Sequence, residues 1–167
     1  MIADPARRGH ALAEFYRAVA PRLFHDLEES GALPDGETAT RERARAEWES
    51  FALYACVRAL VAAGGFNRET GHAIEALHES ALGLLEGPSR QEAAHRRAHV
   101  AERYAEYGAI GQEGGAAGAA TVSQRLGEAA ARHMAAPALP GLALAEIAGA
   151  LHEQLVDGAT EAVRIAE

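Results

Sequence analysis

No lysine occurs in these 167 residues, so all 16 of the Lys-plus-Arg positions are arginine. Arg, Ala and Gly are all codon-favoured in GC-rich coding, and no guanidinium chemistry is read into that bias. Asparagine appears once, as Asn67, and cysteine once, as Cys56. A single cysteine excludes an internal disulfide and any Cys-x-x-Cys redox or zinc motif. Cys56 sits in the most apolar stretch of the chain, where a thiol reads as a small buried hydrophobe. A reactive thiol needs an electropositive, partly open setting. Aromatic residues are scarce, at 5%. No apolar run reaches the roughly 20 residues that span a bilayer, because Arg58 interrupts the longest one. No period-two alternation is long enough for a strand. There is no Gly-x-Ser-x-Gly, phosphate loop or dinucleotide fingerprint. The opening Met1-Ile2-Ala3-Asp4-Pro5 lacks a basic region followed by an apolar run, so a signal peptide is not expected and a cytoplasmic location is.

Acidic residues outnumber basic ones, for a formal net charge of −8. Duplex binding relies on clustered cations. Arg41, Arg43 and Arg45 do cluster, but Glu37, Glu42, Glu47 and Glu49 surround them. Neither nucleic acid nor an anionic membrane is expected as the partner of the surface as a whole.

The chain has 41 alanines and is 49% apolar. Alanine is the strongest intrinsic helix former, and it buries little area per residue. The expectation is an all-α fold in one domain, residues 1–167, built as an antiparallel bundle of five or six helices. Residues 51–63 carry one charge, Arg58, and no Pro or Gly. A helix apolar nearly all round belongs inside other helices.

The first helix is predicted over 4–29, with Asp4 as N-cap and Pro5 at the first helical position. Leu12, Phe15, Val19, Leu23 and Leu27 form its stripe. Pro21 is expected to kink or divide it. The second helix covers 38–63 and stops at Gly64-Gly65. The third runs over 68–86 behind Asn67, with Ile74, Leu77, Ala81, Leu84 and Leu85 as its stripe and Gly87-Pro88 as its stop. Ser89 and Glu92 fit a capping box for the fourth, which extends to about 112. The glycines between 111 and 118 read as a hinge. The fifth helix, 120–135, is weakly apolar, with Val122 and Leu126 on its face. The sixth begins near 141, after Pro137 and Pro140, with a Leu144, Ile147, Leu151, Leu155 stripe.

The candidate chemistry lies in His and Glu residues. Glu75-Ala76-Leu77-His78 and Glu92-Ala93-Ala94-His95 are both Glu-x-x-His, the ligand pair used by carboxylate-bridged di-metal bundles. Chance supplies such pairs in a chain this rich in Glu. On a helical wheel Glu92, His95, His99, Glu102 and Glu106 fall opposite Tyr104 and Gly108, which reads as a solvated face. His78 lies beside the Ile74/Leu77 stripe, so Glu75 and His78 are the candidate metal ligands. His95-x-x-x-His99 has zinc-capable spacing, but Arg96 and Arg97 stand between its members.

The order His25, then His72 with Glu75, then His95-x-x-x-His99, then His152 with Asp157 loosely resembles the ligand order of hemerythrin-like oxygen-binding bundles. The second step departs from that pattern, since His72-Ala73-Ile74-Glu75 is one residue shorter than His-x-x-x-Glu. Asp157 also lies off the Leu151/Leu155 face. The resemblance assigns no family. Arg58, alone in an apolar helix, needs a carboxylate, a carbonyl or a ligand anion, which makes it the candidate cofactor- or anion-binding residue.

Three functions remain. The first is a non-enzymatic interaction module, self-associating as a homo-oligomer or serving as a small subunit of a larger protein assembly. Leu139, Leu142 and the Val122/Leu126 face would meet the partner. The second is a metal- or small-ligand-binding bundle using His and Glu. The third is an enzyme with His78 and a neighbouring carboxylate as an acid-base pair.

Overall fold

The computed structural model describes residues 4–83, 89–114 and 118–166. Within them the chain is all-helical and contains no strand. Six helices follow one another: α1 Pro5–Glu29, α2 Thr38–Gly64, α3 Arg68–Ala81, α4 Arg90–Gly114, α5 Ala119–Ala135 and α6 Leu142–Ala166. Among the described residues, no helix is long and apolar enough to cross a membrane.

The caps are where local chemistry places them. The Asp4 carboxylate accepts from the Ala6 amide with Pro5 as the first helical residue, and the Asn67 side chain accepts from Thr70 N. Ser89 and Glu92 make a reciprocal box: Ser89 N donates to Glu92 Oε2 at 3.0 Å and Glu92 N to Ser89 Oγ at 3.2 Å. Together these satisfy amides that a helix start leaves orphaned. Gly65, at φ +73°, ends α2 in a conformation that a Cβ disfavours.

The middle of helix α2 is enclosed by the others, while its two ends are exposed. Phe51, Ala52, Leu53, Ala55, Cys56, Ala59 and Leu60 are all buried. Two clusters of buried side chains meet along it. One joins the second half of α1, the first half of α2, α5, α6 as far as Leu155, and Tyr107 of α4. The other joins the first half of α1, the second half of α2, α3 and the end of α6. Burial pushes the Cys56 thiol up to about 12, which suits a small hydrophobe and not a nucleophile.

Contacts along α1 and α2 run in reverse order, with Trp48 Nε1 donating to the Ala20 carbonyl at 2.8 Å and Arg41 pairing with Glu28. Those of α5 and α6 also run in reverse, since Ser123 reaches Glu153 and Gly127 lies against Ala145 and Gly149. These contacts are compatible with an antiparallel bundle.

Several expectations are corrected. Pro21 lies inside a continuous α1 and does not divide it. The ring costs one backbone bond, while Ala20, Leu23 and Phe24 around it are locked in the core. Helix α3 ends at Ala81, earlier than its hydrophobic stripe suggested; Leu84, Leu85 and the Gly87-Pro88 stop lie outside the described residues. Helix α4 runs on through Gly111 to Gly114, so that part of the expected hinge is helical, and 115–117 lie outside the described residues.

The largest correction concerns α5. Val122, Leu126, Ala129, Ala130, Ala131 and Met134 are buried within this chain. That face is core and is not available to a partner. Helix α5 approaches α6 so closely that a Cβ built on Gly127 would sit 2.4 Å from the Ala145 carbonyl oxygen and 2.8 Å from Gly149 N. Small residues there replace buried area with proximity.

Candidate functional site

Helix α4 is held differently from the rest. Its Cα atoms come within 8 Å of those in α2 and α5, but of none in α1, α3 or α6 among the described residues. Much of its seat is ionic. Arg103 grips Glu47 of α2 with two hydrogen bonds, Nε at 2.7 Å and a terminal nitrogen at 2.9 Å. His99 Nε2 lies 3.4 Å from the same carboxylate. On the α5 side, Glu106 meets Arg132 and His133, and Arg125 meets Glu113. Burial works to raise the Glu47 pKa, but the hydrogen bonds and charge of Arg103, with the nearby histidines, hold it below its ordinary value. The wheel-based solvated face of α4 is therefore only partly right. Glu92, His95 and Glu102 are exposed, whereas His99 and Glu106 are half-buried against α2 and α5.

Because α4 stands off from α1 and α3, clefts open on both sides of Val100. Toward α3 lies a cleft of about 280 Å³ lined by Glu75, His78, Arg97 and Tyr104. His78 Nε2 is 2.9 Å from the Tyr104 hydroxyl. Burial, with the charge of Arg97, pushes His78 down to about 4. His78 is thus a neutral imidazole paired with a phenol, and no carboxylate ion-pairs with it among the described residues. Glu75 is exposed on the wall of this cleft.

Toward α1 and α2 lies a second cleft, of about 260 Å³, whose walls include Tyr16, Glu49, Ser50, Leu53, His95 and Arg96. It meets a third, of about 440 Å³, lined by Arg17, Phe24, Arg45 and Trp48. The two share Tyr16, Glu49, Ala81 and Arg96 and form one groove. The Tyr16 hydroxyl donates to the Glu49 carbonyl at 3.3 Å, and burial raises its pKa. Burial also raises Glu49, against the charges of Arg96 and Arg45. The groove escaped the sequence reading because its walls come from positions such as 16, 49 and 96 on three helices. The available signals were the Arg41/Arg43/Arg45 cluster and the aromatic residues Tyr16 and Trp48, which on sequence alone could equally line a pocket or pack in the core.

The other sequence candidates find structural partners. Arg58 donates to Glu153 Oε1 at 2.7 Å, and the Ser123 hydroxyl donates to the same oxygen at 2.5 Å. Its charge is met inside the protein. Among the described residues, no group of three or more His, Cys, Asp or Glu side chains is placed to hold a metal. The hemerythrin-like order does not assemble: His25, His72, His95 and Asp157 are exposed, and His152 is buried against Phe51 at a ring separation of 4.2 Å.

His152 has a consequence for stability. Among the described residues neither ring nitrogen makes a hydrogen bond of ordinary geometry. Burial, aided by the charge of Arg58 and opposed by the Phe51 backbone, pushes it down to about 3. In the unfolded chain a histidine titrates near 6.5. Below that pH the unfolded state gains a proton on His78 and on His152 that the folded state refuses until about 4 and about 3. Stability contributed by their neutrality is complete above the unfolded value and falls as the pH drops, by about 1.4 kcal/mol per pH unit for each histidine. Replacement of His152 by Phe is expected to halve that slope between pH 6 and about 4. It also removes two unsatisfied nitrogens and raises stability at neutral pH by about 1 kcal/mol. Urea unfolding across this range measures both effects, and an unchanged slope would contradict the assignment.

Comparison with protein-family models, curated proteins and solved structures finds no match to this chain.

Proposed function

We propose that this chain is an antiparallel helical bundle that acts by binding, taking a small organic ligand in the groove between α1, α2 and α4. The carrying observation is the stand-off of α4, which leaves a continuous groove with an apolar floor and a charged rim. Ligand sites of this kind combine mostly apolar lining with a few convergent polar groups. The test uses Nile red, a neutral apolar dye, with Ala81→Phe as a plug, because Ala81 borders both halves of the groove. The expected result is saturable binding of one dye per chain, lost in the plugged variant while thermal unfolding is retained. Dye binding indifferent to Ala81→Phe would place the site elsewhere.

A second reading, the self-associating interaction module, is favoured by a different observation. Leu139, on the connection into α6, and Leu142, the first residue of that helix, are 92% and 74% exposed. The chain also exposes 9292 Å², against about 7,900 Å² expected of a folded monomer of this mass. An interface covers roughly 800 Å² per partner. On this reading the native mass is a multiple of 17.6 kDa. The double change Leu139→Glu and Leu142→Glu then returns it to the single-chain value, and an oligomer of unchanged mass would refute the role of this corner.

A further inference from the structure

The groove is an arginine-rimmed site in an acidic protein. Arg17, Arg43, Arg45 and Arg96 all border it, and none forms an ion pair with a carboxylate among the described residues. Arg17 and Arg96 each donate one hydrogen bond to a carbonyl at the end of α3, Ser80 O at 3.2 Å and Leu82 O at 3.3 Å. Each guanidinium has further donors to offer. Arg45 lies over the Phe24 ring, 5.5 Å from its centroid. Arg41 is taken by Glu28, and Glu47 is taken by Arg103. Glu49 is then the one groove carboxylate without an ion pair among the described residues. His25, His95 and His99 complete the titratable groups on the walls.

We propose that the groove binds an amphipathic organic anion, with its apolar body along Tyr16, Pro21 and Ala81, above the buried Phe24 and Trp48, and a carboxylate, sulfate or phosphate head held by Arg45 and Arg96. This rests on the groove reading above and names the ligand class. The surplus of guanidinium over carboxylate selects the sign of the charge, and guanidinium groups bond such oxyanions with two parallel donors. The floor selects the body. From Tyr16 to His25 the α1 wall runs about 13 Å, which suits a saturated chain of medium length. Glu49 opposes the head, so it tunes affinity downward.

The probes are decanoate, decanol and decylammonium, which share a chain and differ in charge. Trp48 is the single tryptophan and lies fully buried directly beneath the groove, so its emission reports occupancy through the layer above it. Decanoate is expected to bind about ten-fold tighter than decanol, with affinity falling as salt rises. Arg45→Gln with Arg96→Gln should reduce decanoate to the level of decanol. Arg43→Gln, an exposed position away from the α3 carbonyls, gives a milder loss that cannot be ascribed to unfolding. Glu49→Gln should tighten decanoate several-fold. Equal affinities for the three probes, or a preference for decylammonium weakened by Glu49→Gln, would overturn the anion assignment and leave the groove reading standing. No response of Trp48 to any probe, with no Nile red binding, would overturn both. Decanoate binding that survives the arginine changes would assign it to another surface and overturn this proposal.

Discussion

Glu47→Ala is expected to cost about 3–5 kcal/mol of folding stability. The Glu47 and Arg103 side chains are 7% and 13% exposed, and their two hydrogen bonds are short and parallel. Removing the carboxylate leaves a mostly buried guanidinium whose one remaining ion pair among the described residues is with the exposed Glu102, 3.4 Å away. The size of the loss comes from that orphaned charge and not from the net value of the pair. Converting both partners, Glu47→Leu with Arg103→Met, should therefore restore stability to within about 1 kcal/mol of the parent. Urea unfolding of the three proteins checks the pattern. A loss below about 1 kcal/mol in the single variant would mean that Arg103 finds water, and that α4 sits more loosely than described. The double variant carries a functional forecast too. Arg103 and His99 both hold α4 to Glu47 at the edge of the groove, so ligand affinity should fall even where stability returns.

Gly127→Ala should destabilise by about 1–3 kcal/mol, although alanine is the better helix former by about 1 kcal/mol. The new methyl would meet the Ala145 carbonyl oxygen at 2.4 Å and the Gly149 Cα at 2.9 Å. Both are backbone atoms, so relief requires the two helices to move apart. Gly108 in α4 is the matched control, since nothing lies within 4 Å of its built Cβ. There the same substitution should stabilise by about 0.5–1 kcal/mol. Thermal unfolding with opposite signs at the two sites supports the close crossing. Equal signs would contradict it.

The fold was legible where sequence signals are local. Asp4, Asn67 and the Ser89/Glu92 box announce helix starts because caps act within one turn. The near lack of charge over 51–63 announces the burial of most of 51–60, whereas Ala62 and Ala63 at the end of the run are exposed. Helix α5 was misjudged for a physical reason. Alanine and glycine score weakly as hydrophobes, yet Gly127 facing Ala145 and Gly149 gives a backbone-to-backbone contact that hydropathy does not register. Small residues four apart on two helices joined by a short connection were the available clue. Of the kink or division expected at Pro21, tertiary packing overrode the division.

The candidate site was less legible. Arg58 was singled out correctly as a charge needing a partner, and Glu153 is 95 positions away. His78 was rightly placed at the edge of the core, but its partner is the Tyr104 hydroxyl and not a carboxylate. Arg43 and Arg45 looked neutralised by the glutamates beside them in sequence. In space Glu47 turns to Arg103 while Arg45 turns to the Phe24 ring. Adjacent residues on a helix face different neighbours, so charge balance along the chain does not give charge balance in a groove.

The most direct test of the central claim is the proton–nitrogen correlation signal of the Trp48 indole during addition of decanoate. Its Nε1–H donates to the Ala20 carbonyl on the groove floor, and the chain has one such group to follow. A saturable displacement of that signal, abolished by Ala81→Phe, is the result expected. A Trp48 signal that stays fixed while resonances at the His78 cleft or the Leu139 corner move would contradict the account.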